Sequence, residues 1–177
     1  ARAKGTGLNV SLVGYTNAGK STLFNALTSA KAYAADQLFA TLDTTTRKVY
    51  VEGAGQIVVS DTVGFVRDLP HSLVAAFRAT LEETIHADVL LHVVDAASGV
   101  RLEQIDEVNK VLKEIDADNV PQVLVWNKID LSAHEPSIER DENGRIARIF
   151  ISAKTGAGMA DLREALVELA QNYTPEW

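Results

Sequence analysis

The sequence predicts an α/β fold: a six-stranded, mostly parallel sheet with one antiparallel strand and helices on both faces. Three observations carry this. Short apolar runs rich in β-branched residues alternate nearly throughout with segments of helical period. The first run, Leu8 to Val13, enters Gly14-Tyr15-Thr16-Asn17-Ala18-Gly19-Lys20-Ser21, which fits G-x-x-x-x-G-K-[ST]. Leu23, Phe24 and Leu27 then continue at helical spacing, giving the strand–loop–helix context that this motif requires. Finally, Asp61, Asn127 and Ser152 each stand where a strand has just ended. That is the edge on which such folds bind ligands.

A chain of 177 residues suits one domain with a sizeable core. We expect it over residues 8–173, with 1–7 as a linker and 174–177 as a tail. There are no cysteines, which excludes a disulfide framework and a thiolate zinc site. His71, His86, His92 and His134 show no ligand spacing and read as surface or packing residues. With no secretory signal and no bilayer-length apolar run, a cytoplasmic monomer is expected. The formal net charge of −7 argues against strong nucleic-acid binding by this domain alone.

After the first helix, Lys31 to Thr46 has no sustained period, and loops of that length are usually functional or disordered. Arg47 to Val51 and Gln56 to Ser60 are β-rich and flank Glu52-Gly53-Ala54-Gly55, which predicts an antiparallel hairpin. Leu73, Phe77, Leu81 and Ile85 mark an amphipathic helix after Leu69-Pro70. Val89 to Val94 is a continuous apolar run, as in a buried parallel strand. Leu102, Ile105, Val108, Leu112 and Ile115 define a helix that stops at Asp116 to Asn119. Val123 to Trp126 is a strand, Ser132 to Gly144 a polar acidic stretch, and Ile146 to Ile151 the last strand. Met159, Leu162, Leu166 and Leu169 close the chain with a helix.

The chemistry follows from these positions. Glycines let the first loop turn its N–H groups, and the positive end of the following helix, toward a pyrophosphate. Gly14, Tyr15, Thr16, Asn17, Ala18 and Gly19 form the cradle. Lys20 would reach the β/γ-phosphates and Ser21 would hold Mg²⁺, with Thr22 next to them as a further nucleotide-site candidate. Asp61-Thr62-Val63-Gly64 offers a carboxylate for Mg²⁺ and the Gly64 N–H for a γ-phosphate. In Asn127-Lys128-Ile129-Asp130, a buried Asp130 carboxylate would accept two hydrogen bonds from guanine. Adenine would leave it unpaired. Lys128 would cover the base and Asn127 would tie the loop down. Ser152-Ala153-Lys154 could meet the base O6 through backbone N–H groups. A metal-contacting threonine completes the set, with Thr41, Thr44, Thr45 and Thr46 as candidates that spacing does not separate. Such a contact would order the loop only when the γ-phosphate is present.

Phe39-Ala40-Thr41-Leu42-Asp43, the phosphate loop with Tyr15 and Asn17, and Asp61 through His71 resemble the HflX family of translation-factor-class GTPases. Ala75 through Glu83 and His92-Val93-Val94-Asp95-Ala96 resemble its continuation. The resemblance covers nearly all of the chain and implies a Ras-like G domain. It implies GTP hydrolysis, large-subunit ribosome binding through the full-length protein, and splitting or rescue of stalled ribosomes. It assigns Ser21 and Thr41 to Mg²⁺ beside the Asp61 carboxylate read above, makes Phe39 to Asp43 part of the nucleotide site, and sets Lys20, Thr41 and Gly64 at the reacting phosphate. The sequence departs from the family at Thr44, where proline is common. Phe65 stands where Ras-like switches carry the glutamine that orients water, so slow intrinsic hydrolysis is expected. Asn17 is a candidate K⁺ ligand, with turn formation as its alternative role. The rival reading is a nucleotide-gated binding module with negligible hydrolysis.

Overall fold

The structure is a computed structural model that describes residues 8–15, 18–28, 45–61 and 86–172. Seven strands form one sheet: β1 (Asn9–Gly14), β2 (Thr45–Val51), β3 (Gly55–Asp61), β4 (Val89–Asp95), β5 (Gln122–Asn127), β6 (Ser137–Arg140) and β7 (Ile146–Phe150). Their spatial order is β2-β3-β1-β4-β5-β7-β6. Three described helices are α1 (Lys20–Thr28), α2 (Arg101–Glu114) and α3 (Met159–Asn172).

The expectation of six strands with one antiparallel is therefore corrected. The five inner strands run parallel, while β2 and β6 lie antiparallel to their neighbours, one at each edge. β6 falls in the stretch expected to be only polar. In it Ser137, Glu139 and Arg140 are exposed and Ile138 is half-buried. A four-residue edge strand with one inward side chain carries almost no alternation signal.

β4 lies at the centre and is buried from Val89 to Val94. Its two faces feed different cores. Val89, Leu91 and Val93 join Leu23, Phe24 and Leu27 of α1 and Met159, Leu162, Ala165 and Leu166 of α3. Leu90 joins Val108, Val111 and Leu112 of α2, together with Val13 of β1 and the flanking Ile115. Helices thus cover both faces, and each fully buried Leu or Phe contributes about 1.5–3 kcal/mol relative to exposure. Leu102, expected on the apolar face of α2, is 66% exposed, because the helix meets the sheet only from its second turn onward.

α2 stops where the sequence predicts. Asp116 adopts a left-handed φ of 64°, and its N–H donates to Lys113 O while the Ala117 N–H donates to Leu112 O. This closes the last turn as a glycine would, with a short polar residue in the left-handed position. The β2–β3 hairpin spans Glu52 to Ala54, with Gly53 at φ 94° and Gly55 at φ 81°. Bidentate hydrogen bonds from Arg140 to Glu168, both 2.8 Å, tie β6 to α3. The expected helix around Leu73 to Ile85 and the termini 1–7 and 173–177 lie outside the described residues.

Candidate functional site

β1 is flanked by β3 on one side and β4 on the other, so the chain leaves it in both directions and opens a crevice at its carboxyl end. The phosphate loop begins there. Gly14 closes β1 so near β4 that a Cβ would stand 2.8 Å from Val93 O. Gly19 has φ 91°, and a Cβ on it would collide with the Asn127 side-chain nitrogen. The second glycine is thus required twice: by its backbone angle, and by the loop that packs against it. Ala18 is buried, and Tyr15 packs partly buried against the α2 side of the sheet.

Lys20 and Ser21 open α1 and are both buried. Lys20 Nζ donates to Asp61 Oδ1 at 2.5 Å, with the side chains 3% and 0% exposed. Asp61 ends β3, in register with Leu12 of β1. Its second oxygen, Oδ2, is buried without a hydrogen-bond partner among the described residues. A buried carboxylate oxygen with unused acceptor capacity and the buried Ser21 hydroxyl are both hard-oxygen donors of the kind that suits Mg²⁺. The residues present fit that ion.

The second half of the site is a network around Asn127, the last residue of β5. Asn127 Nδ2 donates to Ala18 O at 3.1 Å, and Asn127 Oδ1 accepts from the Ala153 N–H at 2.9 Å. One amide therefore joins three loops distant in sequence, with both ends of its dipole used. Lys128 follows in the left-handed region, at φ 69°. Ser152, fully buried, donates its hydroxyl to Asp130 Oδ1 at 2.8 Å and accepts from the Thr155 N–H at 3.2 Å. Gly19, Thr22, Asn127, Lys128, Asp130, Leu131, Ser152 and Lys154 line a cavity of about 280 Å³.

Two expectations change here. Asp130 is exposed rather than buried, so the expected burial of its carboxylate is corrected. The backbone N–H groups of Ser152 and Ala153 are already engaged, to Ala157 O and Asn127 Oδ1. Of the four candidate threonines, Thr45 and Thr46 belong to β2, and Thr46 Oγ1 lies 3.3 Å from Ser60 Oγ. Thr16, Asn17, Phe39, Ala40, Thr41, Leu42, Asp43, Thr44, Thr62, Val63, Gly64 and Phe65 lie outside the described residues.

Sequence reasoning gave Asp95 no role. It closes β4 in register with Asn127, and its Oδ2 lies 3.4 Å from Lys128 Nζ. The available signal was its position, at the end of a buried strand on the same edge as Asp61 and Asn127. Of the histidines, His92 is buried in β4, and its Nδ1 lies 3.2 Å from Gln122 Oε1. Burial lowers its pKa to about 4 against a smaller opposing effect of the Gln122 hydrogen bond. His134 stacks on Phe150 and meets Trp126 edge-on, also a packing role.

A parallel sheet with a phosphate-binding loop after β1, a lysine on the carboxylate after β3, and an Asn-Lys-x-Asp loop after β5 define a P-loop GTPase G domain. Comparisons with known proteins agree. The family described as "50S ribosome-binding GTPase" matches residues 9–128. The GTPase HflX of Escherichia coli strain K12 is 58% identical over 169 residues, which cover 95% of this chain and 40% of that protein. The GTPase HflX of Caldanaerobacter subterraneus is 51% identical over 157 residues, 89% of this chain and 35% of that protein. A GTP-binding protein of Sulfolobus solfataricus, solved in complex with GDP, superposes with a TM-score of 0.71 at 26% identity. That match covers 94% of this chain and 53% of the solved one. The chain belongs to the 50S ribosome-binding GTPase family, among its HflX members. It spans about 40% or less of the length of these two curated relatives.

Proposed function

We propose that this domain binds guanine nucleotide with Mg²⁺ and hydrolyses GTP slowly, as the switch of a cytoplasmic ribosome-associated protein. In that protein it would govern large-subunit binding and the splitting or rescue of stalled ribosomes. The observation that carries the nucleotide reading is the Asn127 amide, which ties the phosphate loop to the Ser152 loop and so holds Asp130 and Lys154 around one cavity. Asp130 would accept from the guanine edge, and the Lys154 N–H would donate to the base oxygen. Lys20 would leave Asp61 for the phosphates, with the Gly64 N–H at the γ-phosphate. Ser21, Thr41 and Asp61 would hold Mg²⁺, which when bound offsets phosphate charge. No residue is assigned as general base, and Phe65 cannot hydrogen-bond a water.

The ribosomal role rests on the family and on the relatives' names. With a net charge of −7, the domain is proposed to act as a monomer and to bind little RNA without the rest of the protein. Among the described residues, no helix is long and apolar enough to cross a membrane. Phe65 favours one second reading, a nucleotide-gated binding module that hardly turns over. One assay separates the two. Fluorescent GTP is titrated with ATP as competitor, and multiple-turnover phosphate release is then followed in KCl and in NaCl at equal ionic strength. We expect GTP binding that ATP does not displace, and slow release that is faster in KCl if Asn17 holds K⁺. Displacement by ATP would overturn the base assignment, and absent turnover would leave only the binding module. Equal rates in the two salts would leave Asn17 as a turn residue.

A further inference from the structure

We propose that Asp95 is a positioning residue for the base pocket, acting through Lys128; this deepens the guanine-nucleotide reading above and rests on it. Lys128 is one of two non-glycine residues in the described chain with positive φ, at φ 69° and ψ 33°. A long side chain held there is strained, and such strain persists where the surroundings over-determine it. The surroundings here are specific. The Asp95 carboxylate is itself fixed, because Oδ1 accepts from the Ala97 N–H at 2.9 Å. Its other oxygen, Oδ2, faces Lys128 Nζ at 3.4 Å. The backbones are locked as well: Asp95 pairs with Asn127 in the sheet, and the Ala96 N–H donates to Asn127 O at 2.9 Å.

With its ammonium drawn to Asp95, the lysine's methylene stem lies along the phosphate loop. A Cβ built on Gly19 would sit 3.6 Å from Lys128 Cε. The stem is thereby offered as an apolar wall of the cavity that Asp130 and Lys154 also line, and the charge is kept aside. Asp95 thus selects one of several lysine conformations before a base arrives, which lowers the ordering cost of binding. The pair is partly exposed, 31% and 23%, so its effect is modest and sensitive to salt.

The test is a double-mutant cycle on the intact chain, reading affinity and dissociation rate of a fluorescent guanine nucleotide. Asp95→Asn keeps an oxygen for the Ala97 N–H and removes the charge, and Lys128→Met keeps an apolar stem without the ammonium. We expect Asp95→Asn to weaken binding about three- to fivefold, mainly through faster release, and to do so less at high salt. The same substitution in the Lys128→Met background should change nothing. An equal loss in both backgrounds would show a merely structural role for Asp95. No loss in either would remove the role altogether. A wild-type chain that takes up no guanine nucleotide would overturn the reading of the site itself, a failure distinguishable from the other two.

Discussion

At the base end of the cleft, polar groups are already matched to one another. Asn127 spends both ends of its amide on neighbouring loops, Ser152 holds one oxygen of Asp130, and Asp95 faces Lys128. At the phosphate end, a lysine 3% exposed and an aspartate fully buried face each other, and one aspartate oxygen has no described partner. The difference teaches how the two ends differ in preorganisation. The base end can accept its ligand without breaking the contacts that shape it. On the proposed function, the phosphate end is built from charges that would exchange partners when phosphates and a metal ion arrive. On that reading, recognition would rest on the half whose contacts are already made, and the switch on the half with an unmatched carboxylate oxygen.

The largest effect that could break this comparison is at Lys20. Lys20→Met leaves Asp61 buried with no counter-charge and should cost about 3–5 kcal/mol of stability, besides abolishing nucleotide binding. Urea unfolding of the nucleotide-free chain measures it. A loss below 1 kcal/mol would mean that the pair is solvated and the phosphate end not under electrostatic tension.

A smaller effect sharpens the comparison from beneath the cleft. His92 is buried, near Gln122, and its pKa is lowered to about 4. The folded chain therefore holds a neutral imidazole, while the unfolded chain takes up a proton as pH falls below 6.5. The unfolded state binds more protons in this window. Stability present above pH 6.5 is therefore lost as pH falls toward about 4, by roughly 3 kcal/mol over the full window. His92→Gln should flatten that slope. If the slope survives the substitution, acid sensitivity belongs to the ion-paired groups instead.

How much of this was legible in the sequence follows from the range of each interaction. β4 and β5 are readable because strands buried on both faces are written as mostly apolar runs, and β1 and β7 remain readable although Ser11 and Arg148 interrupt theirs. β6 was not, since an edge strand needs charge more than burial. The apolar period of α2 ran on to Leu102 although the packing does not. Lys20, Asp61, Asn127, Asp130 and Ser152 were legible as local motifs arriving in order. What they touch was not. The bond from Asn127 to Ala18 O spans 109 residues, and the pairing of Asp95 with Lys128 spans 33. Neither leaves a mark on local period or composition. The exposure of Asp130 is not legible for a related reason, because a motif states which group is present and not how deep it lies.

The central claim is that the rigid end reads guanine through Asp130, and one substitution tests it most directly. In Asp130→Asn the side-chain oxygen can still accept the Ser152 hydroxyl, so the loop is kept while the acceptor pair for the base is lost. Fluorescent-nucleotide titration of wild type and variant with GTP and with xanthosine triphosphate gives the answer. The account predicts that GTP weakens by roughly 2–4 kcal/mol while xanthosine triphosphate improves, its extra carbonyl accepting from the new amide. Unchanged GTP affinity in the variant would contradict it.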